Sequence, residues 1–181
     1  DGSDGTPFGG WAMRFGPQGV AGDKFRLGEI LETGVLLFGR RTWEHFSTLW
    51  PARDDPFSQA MNRASKAVLS GSPLDVARWS GTRRAADLDA WLDETLPERD
   101  VVVIGSGAVV AQVEAAGRVD EYRLLTFPTA VGAGRRLFPD GRLLTLLSSE
   151  QVGPASLTRY GTAEAPSAAA AASAASAAST S

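Results

Sequence analysis

The sequence predicts an α/β layer fold, and three observations carry that prediction. Short apolar runs alternate with amphipathic segments through the middle of the chain, as when strands alternate with helices. The run Val35 to Phe38 is apolar at every position, which is typical of a strand buried on both faces. The C-terminal runs LLTLLSSEQVG and ASLTRY are separated by a short turn and indicate a closing antiparallel hairpin.

In the first half of the chain, apolar spacing and turn residues define the elements. Gly34 follows a segment of helical spacing as a C-terminal cap would, and Trp50-Pro51 stops a later helix. The predicted elements are a helix with apolar positions Phe25, Leu27, Ile30 and Leu31, a strand at Val35 to Phe38, helices at Thr42 to Leu49 and Pro56 to Asn62, and a strand at Ala67 to Leu69.

The second half continues the alternation. Leu88, Trp91, Leu92 and Leu96 share one helix face, with Asp87 near its start and Pro97 past its end. The remaining predictions are a short edge strand at Val76 to Trp79, a strand, glycine turn and helix in DVVVIGSGAVVAQVEAAG, and a long strand in VDEYRLLTFPTAV before the hairpin.

Composition excludes several classes of function. The 181-residue chain has a formal net charge of −3, so the molecule as a whole does not attract nucleic acid. It contains no cysteine, which excludes thiolate sites, and only one histidine, His45, which excludes histidine clusters. No metal site is therefore expected. No apolar run reaches the length of a membrane span, and the lack of cysteine is compatible with the cytoplasmic location that we predict.

Three predicted turns carry residues suited to an anion. Gly39-Arg40-Arg41-Thr42 joins a glycine, a helix start and an arginine fork that matches phosphate. Ser70-Gly71-Ser72 follows the next strand, and Ile104-Gly105-Ser106-Gly107-Ala108 resembles a phosphate-binding glycine loop without the third glycine of the dinucleotide fingerprint. Each turn alone is also consistent with an ordinary solvated turn.

Together the turns indicate more than each one does alone. In open α/β sheets, ligands bind at the carboxyl ends of the strands, where all three turns are predicted to lie. Three such turns on one sheet predict an extended, polyanionic nucleotide.

These motifs resemble the dihydrofolate-reductase-like superfamily. The segments that carry the resemblance are GVLLFGRRTWE, KAVLSGSPLD and VVVIGSGAVVAQVEAAGRVDEYRLLTFPTAVGAGRRLF. The most similar branch is the C-terminal reductase domain of the bacterial bifunctional deaminase-reductase of riboflavin synthesis (the RibD C-terminal domain), here as a stand-alone member. The match runs from about Gly34 to Tyr160.

The resemblance implies a three-layer fold, with helices on both faces of a mixed, mostly parallel sheet, and an NADPH-dependent reductase that forms a homodimer. The implied substrate is a small heterocycle, pterin-like or similar to 5-amino-6-ribosylaminouracil. The implied cofactor contacts are Gly39, Arg40, Arg41 and Thr42 toward the 2′-phosphate, Ser70 and Ser72 at the adenosine half, and Gly105, Ser106, Gly107 and Ala108 along the diphosphate. In relatives a basic residue often stands at the position of Gly71.

Two carboxylates are the catalytic candidates. Relatives place a carboxylate in the substrate pocket, and Asp23 and Glu29 precede the Val35 strand. Both are also consistent with helix-capping or surface residues, and the whole chain with a catalytically silent nucleotide-binding module of the same fold. Asp120 and Glu121, beside Arg123, are predicted to be structural.

The resemblance also predicts the domain boundaries. Residues 1–162 form the reductase domain, and the Ala/Ser-rich segment 163–181 has too little apolar bulk to pack and is predicted to be a disordered tail. Relatives begin with a central strand that ends in Asp-Gly. Asp1-Gly2 matches that ending, so the first strand is predicted to be missing.

Overall fold

The computed structural model describes residues 9–20, 22–134, 136–138 and 140–162. It divides into two compact units, Asp1–Arg118 and Val119–Ser181, which are taken in turn below. The predicted tail 163–181 and the Asp1-Gly2 pair lie outside the described residues.

A four-stranded parallel sheet organises the first unit. Its strands are β1 (Val35–Gly39), β2 (Ser65–Leu69), β3 (Thr82–Ala85) and β4 (Val101–Val103), in the spatial order β3-β2-β1-β4. Every residue of β1 is buried, as its uninterrupted apolar run predicts. Because all four strands are parallel, their carboxyl ends share one edge of the sheet.

Helices and turns connect these strands. The helices are α1 (Gly16–Val20), α2 (Ile30–Thr33), α3 (Arg40–Leu49), α4 (Pro56–Arg63), α5 (Leu88–Thr95) and α6 (Gly107–Ala115), with short 3-10 segments at Trp11–Phe15 and Val76–Arg78. Two helices start as predicted, α4 at Pro56 and α5 directly after Asp87. In the structure the side chain of Asp55 accepts from Ser58 N at the start of α4, and that of Asp87 accepts from Ala90 N at the start of α5. No helix among the described residues is long and apolar enough to cross a bilayer.

The predicted helix before β1 is shorter than its apolar spacing suggests. Only Ile30–Thr33 is helical, because Arg26 and Gly28 take positive φ values of 53° and 51° and turn the chain first. Gly34 ends α2 for a reason other than a left-handed cap. Its φ is −87°, and a Cβ there would lie 2.8 Å from the carbonyl oxygen of Ile30.

The predicted edge strand at Val76 to Trp79 is wrong. Val76–Arg78 forms a 3-10 turn, in which the side chain of Asp75 accepts from Ala77 N. The edge strand is instead β3, Thr82–Ala85, a segment with two arginines and little apolar signal. An edge strand that is exposed on much of its surface lacks the apolar run from which strands are predicted.

Three buried side chains in this core, those of Trp43, Trp79 and Lys66, have hydrogen-bond partners. The Nε1 of Trp43 donates to Thr82 Oγ1 at 3.1 Å, and that of Trp79 donates to Asn62 Oδ1 at 2.8 Å. Lys66 is 1% exposed, and its ammonium lies 4.7 Å from the centre of a Trp79 ring. Its Nζ donates to the carbonyl oxygens of Met61, Asn62 and Ala64, at the C-terminal end of α4.

The second unit is a three-stranded antiparallel sheet. Strands β5 (Glu121–Thr126), β6 (Leu144–Val152) and β7 (Ala155–Thr162) lie in the order β5-β7-β6. The predicted hairpin of β6 and β7 is confirmed, whereas the long strand predicted for VDEYRLLTFPTAV ends at Thr126, before Phe127-Pro128. The α/β class with a C-terminal antiparallel hairpin is confirmed, and the strands pair in two separate sheets.

Glu121 has the structural role that the sequence predicts. Its carboxylate accepts from Arg123 Nε at 2.7 Å and from Arg159 Nε and Nη2 at 2.8 Å and 2.6 Å. The hydrogen bonds from Arg159, aided by Arg123 and opposed by burial, lower the pKa of Glu121 to about 2. The group therefore ionises more readily in the folded state than in the unfolded chain.

We expect Glu121→Gln to destabilise the protein at neutral pH by roughly 1 to 2 kcal/mol, because two arginines lose their carboxylate. The stabilisation by ionised Glu121 is complete above the unfolded pKa of about 4.3 and is lost as pH falls toward 2, so the two proteins should converge there. Urea unfolding at several pH values measures this difference. Asp120→Asn changes an exposed neighbouring acid with no described ion pair and is the control; a difference independent of pH would contradict the assignment.

Candidate cofactor-binding site

The structure brings the three predicted turns together at the carboxyl ends of the parallel strands. Strands β2, β1 and β4 are adjacent and parallel, and each is followed there by one of the turns. The first and third turns touch: Gly39 N donates to the carbonyl oxygen of Gly105 at 3.4 Å. The first and second turns also touch, because Arg40 Nη1 donates to Ser72 Oγ at 2.6 Å. The turns therefore form one continuous group of residues.

Close packing explains the glycine at the end of β1. A Cβ on Gly39 would overlap Oγ of Ser106 and lie 3.1 Å from its Cβ. Gly105 has a φ of +111°, and a Cβ there would lie 3.8 Å from the side chain of Thr42. Gly39 thus lets the first and third turns approach each other, whereas Gly105 is required by its positive φ and not by the space around it.

We expect Gly39→Ala to displace the Ser106 turn and weaken nucleotide binding by about tenfold, because a local shift of this size costs on the order of 1 kcal/mol. Binding by tryptophan fluorescence, with a melting curve for each protein, measures the effect. Gly141→Ala is the matched control, since Gly141 lies outside the three turns, its φ is not positive and no atom lies within 4 Å of a Cβ there. Equal binding by both variants would show that the close approach of the first and third turns is not required.

Two helices begin at this edge with free backbone donors. Helix α3 starts at Arg40, two residues earlier than predicted, so both arginines lie in its first turn. Helix α6 starts at Gly107, and neither helix has a side-chain cap or an acidic residue in its first turn. First-turn amides and the helix dipole favour an anion at both positions.

The second turn is held in a defined shape. Ser70 is buried, and its Oγ donates to the carbonyl oxygen of Ser72 at 2.9 Å. Arg40 also pairs with Glu44, with 2.9 Å between Nε and Oε1, which fixes the guanidinium between α3 and the turn. Arg41 and Ala108 are exposed, and Thr42 is half-buried.

One residue that contacts the site was missed by the sequence predictions. Arg84 of β3 donates from Nη1 to the carbonyl oxygen of Ser70 at 3.0 Å. Arg84 lies beside the turn because the edge strand is Thr82–Ala85, whereas the sequence predicts that strand at Val76 to Trp79. The pair Arg83-Arg84 was the available signal, but nothing in the sequence indicates which of the two faces the turn.

The catalytic candidates lie in the segment before β1 and outside any long helix. Oδ2 of Asp23 accepts from Gly28 N at 2.9 Å, and its Oδ1 is buried without a hydrogen-bond partner among the described residues. Glu29 is exposed and immediately precedes α2. Within the described part of the chain, no hydrogen bond joins either carboxylate to the three turns.

Comparison with known protein families decides the assignment. The sequence model of the RibD C-terminal domain matches residues 11–158, which is most of the chain. The chain belongs to the RibD C-terminal domain family. This confirms the resemblance on which the sequence predictions relied.

Solved structures agree with the RibD C-terminal fold. A protein of Shewanella sp. PV-4 that is assigned to riboflavin biosynthesis aligns with a TM-score of 0.55 and 20% identity, over 75% of this chain and 77% of that chain. RibD of Acinetobacter baumannii aligns with a TM-score of 0.53 and 13% identity, over 79% of this chain and 51% of that chain, so the alignment spans about half of that protein. Comparison with curated sequences gave no match. At these identities the structures support the fold of the RibD C-terminal domain.

Proposed function

We propose that this protein is an NADPH-dependent reductase that transfers a hydride to a small heterocycle, either pterin-like or similar to the ribosylaminouracil of riboflavin synthesis. Membership of the RibD C-terminal domain family supports a reductase of the riboflavin pathway. One observation carries the cofactor assignment: glycine, serine and arginine residues from three adjacent strand ends form one group, with two uncapped helix starts among them.

The residues present fit a phosphorylated dinucleotide. Arg40, Arg41 and Thr42 would hold the 2′-phosphate, because guanidinium groups bind phosphate through paired hydrogen bonds. Ser70 and Ser72 would contact the adenosine half. The glycine loop from Gly105 to Ala108 would follow the diphosphate with backbone amides, since it opens α6 and its small residues leave room for close approach.

The protein's task in such a reaction is mainly positioning. Bound NADPH supplies the hydride, and the chain holds donor and acceptor in contact and excludes water. Asp23 is the better placed of the two carboxylates to orient a substrate: Gly28 N fixes one oxygen, and the other is free of partners among the described residues. An oriented carboxylate can accept a hydrogen bond from a heterocycle N–H or carry a proton to it.

Cofactor titration tests the proposal. Tryptophan fluorescence is followed as NADPH and, separately, NADH are added; we expect tighter binding of NADPH. Equal, weak binding of both would contradict the cofactor assignment. NADPH oxidation, followed by absorbance against a panel of pterins and ribosylaminopyrimidines, then separates an enzyme from a silent nucleotide-binding module, which would bind NADPH without turnover. The homodimer and the cytoplasmic location predicted above belong to the same proposal.

A further inference from the structure

We propose that Arg84 determines specificity at this site, as a further cation that contacts the ribose 2′-phosphate of the dinucleotide. The inference rests on the proposed function. It differs from the assignment of Arg40 and Arg41 because Arg84 comes from the edge strand β3, on the opposite side of the Ser70–Ser72 turn.

Two arginines hold the Ser70–Ser72 turn. Strand order places β2, which leads into the turn, between β3 and β1. Arg84 is paired in register with Val68 of β2, and its Nη1 reaches forward to the carbonyl oxygen of Ser70 at 3.0 Å. Arg40, which follows β1, reaches Ser72 Oγ at 2.6 Å. The two guanidinium groups therefore bond to residues only two positions apart.

The turn between them leaves space for a ligand. Gly71 is exposed, and no atom lies within 4 Å of a Cβ built on it. The Oγ of Ser70 is occupied by the carbonyl oxygen of Ser72, so the turn keeps its shape without a ligand. A small anion group above Gly71 would have cationic groups on two sides.

The charge of Arg84 is not neutralised by the described residues. Arg40 shares its charge with Glu44, whereas no described carboxylate forms an ion pair with Arg84. Its contact at Ser70 is to a neutral carbonyl and uses Nη1 alone, so a planar guanidinium retains N–H donors for a phosphate. A dianionic phosphate would gain from this cation, whereas a ribose hydroxyl would gain little.

The test uses two small probes, adenosine 2′,5′-bisphosphate and adenosine 5′-monophosphate, which differ in the 2′-phosphate. Binding to the full chain is measured by calorimetry. In Arg84→Ala and in Arg84→Gln we expect the affinity for the bisphosphate to fall about tenfold to thirtyfold, and that for the monophosphate to change by less than about twofold. The glutamine variant removes the charge and keeps a polar side chain, which ends two bonds short of the arginine Nη1.

Arg83→Ala is the matched control. Arg83 is the adjacent residue of β3, is also exposed, and lines a groove with Trp91 and Glu94 rather than the turn. The Arg83→Ala variant removes the same charge from the same strand. We expect its affinities for the bisphosphate and the monophosphate to stay within about twofold of those of the unmodified chain.

The other outcomes discriminate between explanations. If the Arg84 variants lost affinity equally for both probes, the residue would only support the turn. If they lost affinity for neither probe, the residue would not be part of the site. Either result overturns the inference. If the unmodified chain prefers the bisphosphate but the Arg84 variants show either an equal loss for both probes or no loss, the proposed function stands without this inference. If the unmodified chain binds the two probes equally or not at all, both proposals fail.

Discussion

Replacing Arg40 and Arg41 together by alanine is expected to remove most of the preference for NADPH over NADH. The affinity for NADPH should fall about a hundredfold, because a hydrogen bond to a charged group contributes about 1.5 to 3 kcal/mol and Arg40 already shares its charge with Glu44. The affinity for NADH should fall only a few-fold, since it lacks the 2′-phosphate. Fluorescence titration with both cofactors at low salt gives the two constants.

The single variants and a distant pair separate the contributions. Arg40→Ala also breaks the bond to Ser72 and should weaken both cofactors, whereas Arg41 is exposed at the helix start and its loss should affect NADPH alone. A double variant of Arg63 and Arg83 removes the same charge from exposed positions outside the three turns and serves as control. A loss of NADPH affinity no larger than in this control would refute the phosphate assignment.

Replacing Lys66 by methionine is expected to lower the free energy of unfolding by about 3 kcal/mol. Methionine keeps most of the volume but cannot donate, so the carbonyl oxygens of Met61, Asn62 and Ala64 lose a shared donor inside the core. The contact with the Trp79 ring is lost as well. Urea unfolding followed by tryptophan fluorescence measures the change. Lys24→Met, at a half-buried lysine of the same unit, is the control, and an unchanged or raised stability of Lys66→Met would contradict the expectation.

The difference in unfolding free energy between the unmodified protein and Lys66→Met should also depend on pH. Burial lowers the pKa of Lys66 to about 8, whereas a lysine in the unfolded chain titrates near 10.4. Between these values the unfolded chain holds the proton and the folded protein releases it, so stability rises with pH. The desolvation cost of the charged amine is therefore present in full below pH 8 and is relieved above it. The methionine variant has no amine to titrate and should not show this rise in stability. If the unfolding free energies of the two proteins ran parallel from about pH 7 to 10, the lysine would not be buried as a charge.

Parts of the fold follow from local chemistry. An apolar run with no polar interruption predicts β1. The predicted helix starts at Pro56 and near Asp87 agree with α4 and α5, because helix starts depend on a few consecutive residues. The segment before β1 departs from prediction for a local reason too, since Arg26 and Gly28 adopt left-handed conformations that apolar spacing does not reveal.

The candidate site divides in the same way. Each of its three turns was found from residue types alone, as glycines, serines and arginines after predicted strands. Their meeting depended on strand order, which places β1 between β2 and β4 and so joins residues from Gly39 to Gly105. Arg84 was missed because an exposed edge strand carries no apolar pattern, and its partner on β2 is distant in sequence.

The sequence by itself determined the α/β class, the family and the chemical character of the three turns, because composition, periodicity and motifs are properties of neighbouring residues. Tertiary structure alone decided that Arg40 and Arg84 contact one turn from two sides, that Lys66 is a buried partner of α4 carbonyl groups, and that the strands pair in two sheets. The Lys66 bonds are local in sequence, but the burial of its side chain and the other contacts depend on segments farther apart in the chain, and packing and strand order set them.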